Sequence, residues 1–143
     1  MKRIVRCVSL LLVMAILMTI PAFAAGTSKA SHYFIRTSTY LEKTSGTTFD
    51  VWFDVTATGM MQELGVSTIK VQRSSDKSNW STVKTFSKDN YSQMTDDNTV
   101  AHDDCVTYTG TAGYYYRAKV TFYAKNSSGT GEYVMYTSTI SVP

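Results

Sequence analysis

From residue 32 onward the chain alternates apolar and polar residues with a period of two, and no helical period appears. HYFIRTSTYL, residues 32–41, is dense in β-branched and aromatic types. In TFDVWFDVTATG, residues 48–59, Phe49, Val51, Phe53, Val55 and Ala57 fall on one face, and Asp50, Trp52, Asp54 and Thr56 on the other. One dry face and one mostly polar face suit a strand with a core on one side only. LGVSTIKVQR, residues 64–73, continues the β-prone pattern. The Ser/Asp/Asn-rich turn SSDKSNW leads from it into STVKTF, residues 81–86, as in a hairpin connection.

SKDNYSQMTDDNT, residues 87–99, has no clear period and is expected to be a long loop. VAHDDCVTYTG, residues 100–110, reads as a weak strand and YYRAKVTFYA, residues 115–124, as a strong one. Tyr116, Ala118, Val120 and Phe122 face one way there, and Tyr115, Arg117, Lys119, Thr121 and Tyr123 the other. After the turn KNSSGTG a last strand is expected over residues 133–142, with Val134, Tyr136, Ile140 and Val142 on one side. Seven short strands with regularly spaced turns predict an all-β, single seven-stranded antiparallel β-sandwich. Neither an internal repeat nor a linker interrupts it.

The first 24 residues change the picture of charge and compartment. Lys2, Arg3 and Arg6 precede an apolar run from Val8 to Ile20, and Ala22-Phe23-Ala24 forms an A-x-A site. This is the layout of a cleaved signal peptide, and the run falls short of the roughly 20 residues a membrane-spanning helix needs. The expected organisation is a signal peptide at 1–24, a polar leader at 25–31 and one domain at 32–143, secreted to the extracellular space. Three of the 14 Lys+Arg lie in the signal and none of the 11 Asp+Glu does, so the remaining chain is formally neutral. The sequence pI of 8.8 therefore belongs largely to the discarded segment. The remaining cations are spread among acids, which argues against a nucleic-acid footprint. Neutrality also argues against the common cationic, membrane-active kind of effector, and no stable membrane insertion is expected after cleavage. The chain ends on strand residues and Pro143, so the product is expected to be released or held at the surface by non-covalent contacts. Cys7 leaves with the signal, and Cys105 has no partner within the chain. A buried, structural Cys105 is the first reading and an intermolecular disulfide, hence a dimer, the second.

IKVQRSSDKSNWSTVKTF resembles the C and C′ strands of fibronectin type III and related immunoglobulin-like domains, with their strand, S-x-D-x-x-x-W, strand hairpin. GYYYRAKVTFYAKNSSGTGEYVMYTSTISV resembles their F and G strands. The resemblance spans about residues 47–142 and implies an immunoglobulin-like, fibronectin type III-like fold. It also implies that Tyr114 or Tyr116 makes the tyrosine corner, its hydroxyl bonding upstream backbone. Signal peptide, one small domain and no anchor together resemble small secreted bacterial proteins. In such a host the sequons at Asn79, Asn90 and Asn126 are plain turn residues rather than glycan acceptors.

Fold membership carries no function, so the candidate chemistry has to be read residue by residue. Trp52, Tyr115, Tyr123 and Tyr133 on outward positions would make an aromatic binding surface of the kind that holds sugar rings. Asp96, Asp97, Asp103 and Asp104, with Asn98, offer hard oxygens to calcium, without the EF-hand spacing. His102 and Cys105 are too few for a structural zinc site, and His32 is the other histidine. Cys105, His102 and Asp103 are the residue types of a catalytic triad, but neighbours on a strand point apart. No catalytic motif occurs, so no enzyme activity and no cofactor are expected. The expected role is non-enzymatic: adhesion, wall association or recognition of a protein or polysaccharide at the cell surface, through edge strands and the loop at 87–99. A carbohydrate-binding module and a small secreted effector or antimicrobial protein are the alternatives.

Overall fold

The computed structural model describes residues 32–143; the expected signal peptide and polar leader lie outside the described residues. The described chain is all-β, with seven antiparallel strands: β1 (Phe34–Ser45), β2 (Thr48–Ser74), β3 (Ser81–Ser87), β4 (Thr95–Thr109), β5 (Tyr114–Asn126), β6 (Gly129–Tyr136) and β7 (Ile140–Val142). One short 3-10 turn, Ser92–Met94, interrupts them. Among the described residues no helix is long and apolar enough to cross a membrane.

The 27-residue strand β2 organises the rest. Its first limb, residues 48–57, lies between β1 and β4, and its second limb, residues 63–74, between β5 and β3, with β6 and β7 beyond β5. At the bend between the limbs β2 advances from Thr56 to Met61 while its partner β4 moves only from Ala101 to Thr99. The surplus residues Thr58, Gly59 and Met60 are pushed out to solvent, and the chain turns without leaving the extended conformation. Gly65, just past the bend, has φ +153°. A Cβ there would lie 2.1 Å from the Met94 carbonyl oxygen, so only glycine lets the 3-10 turn seat against β2.

Alternation on each limb sends one face inward. Phe49, Val51, Phe53, Val55 and Ala57 from the first limb join Leu64, Val66, Ile69 and Val71 from the second, and Tyr116, Ala118, Val120, Phe122 and Ala124 from β5, in one buried cluster. The inward parity changes between Val66 and Ile69 because a bulge intervenes against β5. Phe49 packs at 5.2 Å, centroid to centroid, on Tyr116, although the first limb and β5 are not hydrogen-bonded to each other. Tyr108 closes the trio at 5.6 Å from Phe49 and 6.0 Å from Tyr116. The core thus lies between the two limbs, and their remaining faces look outward in opposite directions.

Three expectations about the elements need correction. Residues 48–59 and 64–73 form one bent strand rather than two, because no proline or tight turn lies between them and the surplus residues suffice to bend it. Residues 95–99, expected in a loop, are the start of β4, where Thr95, Asp96 and Asp97 pair with Gly65, Leu64 and Glu63. The last predicted strand is broken into β6 and β7. Thr137 leaves the ladder, its N–H donating to the Ala118 carbonyl while its hydroxyl accepts the Ala118 N–H. Lys119 faces Tyr136 but Tyr116 faces Ile140, so one extra residue enters the strand. Such a slip exchanges faces. Val134 and Tyr136 therefore point to solvent while Val142 is buried, and they do not share the side the sequence suggested.

Candidate functional site

The predicted aromatic surface is dispersed. Trp52 stands on the outward face of the first limb, opposite Tyr40 and Cys105, with its ring stacked 6.3 Å from that of Tyr40. Its indole N–H is buried without a hydrogen-bond partner among the described residues. Tyr115 and Tyr123 are on the outward face of β5, at the other side of the molecule, each under a lysine: Lys77 at 4.4 Å and Lys88 at 4.7 Å. Tyr133 pairs with the buried Phe122, so it projects on the face of β6 opposite to theirs.

Of the two tyrosines proposed for a corner, Tyr116 is wholly buried, and its hydroxyl accepts the Thr111 N–H at 2.7 Å. Tyr114 is half-buried beneath the Arg73 guanidinium, 4.4 Å from the ring centroid. Cys105 is a half-buried free thiol. Burial raises its pKa, as do the carboxylates of Asp50, Asp104 and Glu42, so the thiolate that disulfide exchange requires is disfavoured.

The acidic residues do not converge. Asp96 and Asp97 stand opposite Leu64 and Glu63, while Asp103 and Asp104 stand opposite Asp54 and Phe53, beyond the bend. No group of three or more metal-binding side chains gathers among the described residues. His102 points to the core side opposite Val55, with Nε2 2.9 Å from the Gln93 carbonyl, whereas Cys105 points outward. His32 hydrogen-bonds through its own carbonyl, which accepts the Thr58 hydroxyl.

The structure instead assembles a surface on the outward face of the second limb, β5 and β6. Lys70 of β2 lies directly opposite Lys119 of β5, and Lys119 opposite Tyr136 of β6. One position along, Arg117 donates from Nε to Gln72 at 2.8 Å. Its guanidinium lies between two rings, 4.3 Å from the Trp80 centroid and 4.8 Å from that of Tyr136. Trp80 is held by its own indole N–H, which donates to the Lys77 carbonyl at 3.1 Å. Lys77 itself adopts φ +63° in a loop organised by Asp76. The Asp76 carboxylate accepts N–H groups from Ser78 and Asn79 and the Asn79 side-chain amide, and receives the Ser74 hydroxyl, which holds it far below the usual carboxylate range.

A shallow groove of about 250 Å³ runs beside this stack, lined by Thr68, Lys70, Lys119, Thr121, Glu132 and Val134 among others. Neither Lys70 nor Lys119 has an ion-pair partner among the described residues. Like charges directly opposed across strands destabilise a sheet. At the far end Lys88 pairs with Glu63 at 2.7 Å, which raises the Lys88 pKa.

The outward face of the first limb has the opposite sign. Glu42 stands opposite Asp50, and Asp54 opposite Asp103. Arg36 pairs with Asp54, and the Thr107 hydroxyl donates to Asp50 at 2.6 Å. Sequence reasoning missed the cation–aromatic surface for two reasons. Trp80 sat in a segment read only as a turn, and Tyr136 was put on one side with Val142 by a parity that the extra residue at 137–139 reverses. The signal that was available is the outward set Arg117 and Lys119, which matches Lys70 once the hairpin register is known.

Fold and surface together define an all-antiparallel β protein with one cation–aromatic face and one carboxylate face. No family model, curated protein or solved structure matches the chain.

Proposed function

We propose that the protein is an exported, non-enzymatic immunoglobulin-like domain that binds a ligand at or outside the cell surface. The pairing order supports the sandwich. β1, the first limb and β4 correspond to one sheet of a fibronectin type III-like domain, and β3, the second limb, β5 and β6 with β7 to the other. The contact of Phe49 with Tyr116 between the unpaired halves fits the same reading, as does the hydroxyl of Tyr116 on the backbone of Thr111. A basic n-region, apolar run and A-x-A site support export by a cleaved signal peptide, and the resemblance supports a bacterial source.

The observation that carries the binding role is the Trp80–Arg117–Tyr136 stack beside the uncompensated Lys70–Lys119 pair. An exposed ring and like charges opposed across strands are costly to keep on a rigid sheet unless something covers them. Tyr136, half exposed at 50%, offers a free ring face, which favours a sugar polymer as the second form of the same reading.

The test is retention of the purified protein, produced from the full chain, on cell walls, insoluble polysaccharides and matrix proteins. Trp80→Ala/Tyr136→Ala is expected to lose retention, and Trp52→Ala/Tyr115→Ala to keep it. Equal loss in both variants, or no retention by the parent protein, refutes the assignment of this face.

A further inference from the structure

The two outward faces carry the same defect with opposite signs. Lys70 opposes Lys119 on one face; Glu42 opposes Asp50 and Asp54 opposes Asp103 on the other. Arg36 and the Thr107 hydroxyl relieve only part of the carboxylate repulsion, and Glu132, whose carboxylate accepts the Ser67 hydroxyl at 3.2 Å, is the one acid among the residues lining the cationic groove. Each face is therefore unsatisfied within its own fold, and each is complementary in charge to the other. Because the core lies between them, the faces point in opposite directions and cannot meet within one molecule.

Resting on the reading that the cation–aromatic face is a contact surface, we propose that its partner is a second copy of this chain. The Lys70–Arg117–Lys119 face of one copy docks on the Glu42–Asp50–Asp54–Asp103 face of the next. Identical faces repel, which rules out a two-fold contact through the same patch. The contact is head to tail, and every added copy presents a fresh face of each sign, so assembly is open-ended. Tyr136 and Trp80 on one side, and Tyr40, half exposed at 50%, on the other, supply apolar area to the same contact. The outcome is a stack of domains whose growth is controlled by ionic strength.

Sedimentation of the purified protein over a range of concentrations reads this directly. In 0.01 M salt, where charges act over about 30 Å, the average mass should rise at least about twofold with concentration, and in 1 M salt, where the range is about 3 Å, it should return to the monomer. Lys70→Glu/Lys119→Glu makes both faces acidic, and Glu42→Lys/Asp103→Lys neutralises the carboxylate face against Asp50 and Asp54; each variant alone should stay monomeric. Mixed together, they retain one native pair of faces, and because the neutralised face attracts neither kind, they should form small complexes that grow no further. Circular dichroism confirms folding of each variant. Lys70→Glu alone removes a repulsion inside the fold, so it stays folded and should still weaken assembly.

A parent protein that remains monomeric in low salt overturns the proposal, as does assembly that persists in 1 M salt or in either variant alone. If that monomeric protein is nevertheless retained on walls or polysaccharides through Trp80 and Tyr136, the binding role stands and only the second copy fails. Absence of both sinks both.

Discussion

The two limbs of β2 belong to one continuous strand yet work in different surroundings. Both bury an alternating apolar set in the same core. Outside the core they diverge: the first limb bears carboxylates in a field of hydroxyls, and the second bears Lys70 opposite Lys119, beside the stack that Arg117 of β5 makes with Trp80 and Tyr136. The inward residues follow from folding alone. Nothing in the packing requires the outward ones to be segregated by sign, and segregation costs stability through repulsion. The contrast separates residues that the fold requires from residues whose arrangement it does not explain.

The sharpest way to break the comparison is at the bend. Gly65→Ala places a Cβ 2.1 Å from the Met94 carbonyl oxygen and strains a φ of +153°. It should cost about 3 kcal/mol or more in urea unfolding, whereas Gly59→Ala, with open space around it, should change little. A small effect at Gly65 would mean the limbs do not need the Met94 turn to stay joined. Next is Tyr116→Phe, which leaves the Thr111 N–H without its acceptor. It should cost about 1–2 kcal/mol, and an unchanged midpoint would show that the hydroxyl does not pin the β4–β5 connection.

Smaller effects probe the faces themselves. Lys70→Glu turns a like pair with Lys119 into an attractive one and should stabilise the fold by about 0.5 kcal/mol. Asp103→Lys should do the same opposite Asp54. Both gains should fade in high salt; destabilisation by either would show that its repulsion is already relieved within the monomer. The smallest effect is at Asp76, which shapes the Trp80 loop. Its folded pKa is depressed by N–H donors, so its contribution is complete above the unfolded carboxylate value of about 3.9 and fades as pH falls below that. Thermal midpoints of the parent protein and Asp76→Asn should differ at pH 6 and converge in acid; a constant gap would remove the carboxylate from the account.

Most of the core was legible, because the inward sets on residues 49–57 and 116–122 follow from alternation without knowledge of any partner. The SSDKSNW hairpin was legible from its turn residues. What escaped depends on register. One extra residue at 137–139 moved Val134 and Tyr136 to the outside, and no local pattern announces such an insertion. The surface aromatics named from sequence, Trp52, Tyr115, Tyr123 and Tyr133, were each sensible singly. Whether they meet depends on which strands lie side by side, and the bend in β2 sends Trp52 to the other side of the molecule from Tyr115 and Tyr123. The cation–aromatic face therefore could not be assembled from periodicity.

The continuity of β2 has a mechanical side. Where two parts of a molecule are joined by a loop, a pull on one can be absorbed by the joint before it reaches the other. Here the joint is itself extended backbone, paired with β4 on both sides of the bend, and its slack is confined to the three surplus residues there. Once that slack is drawn out, a load applied to the aromatic face is passed along a single continuous strand to the carboxylate face. A row of such units would bear tension as a cord does, each member stretching little and handing the strain to its neighbour.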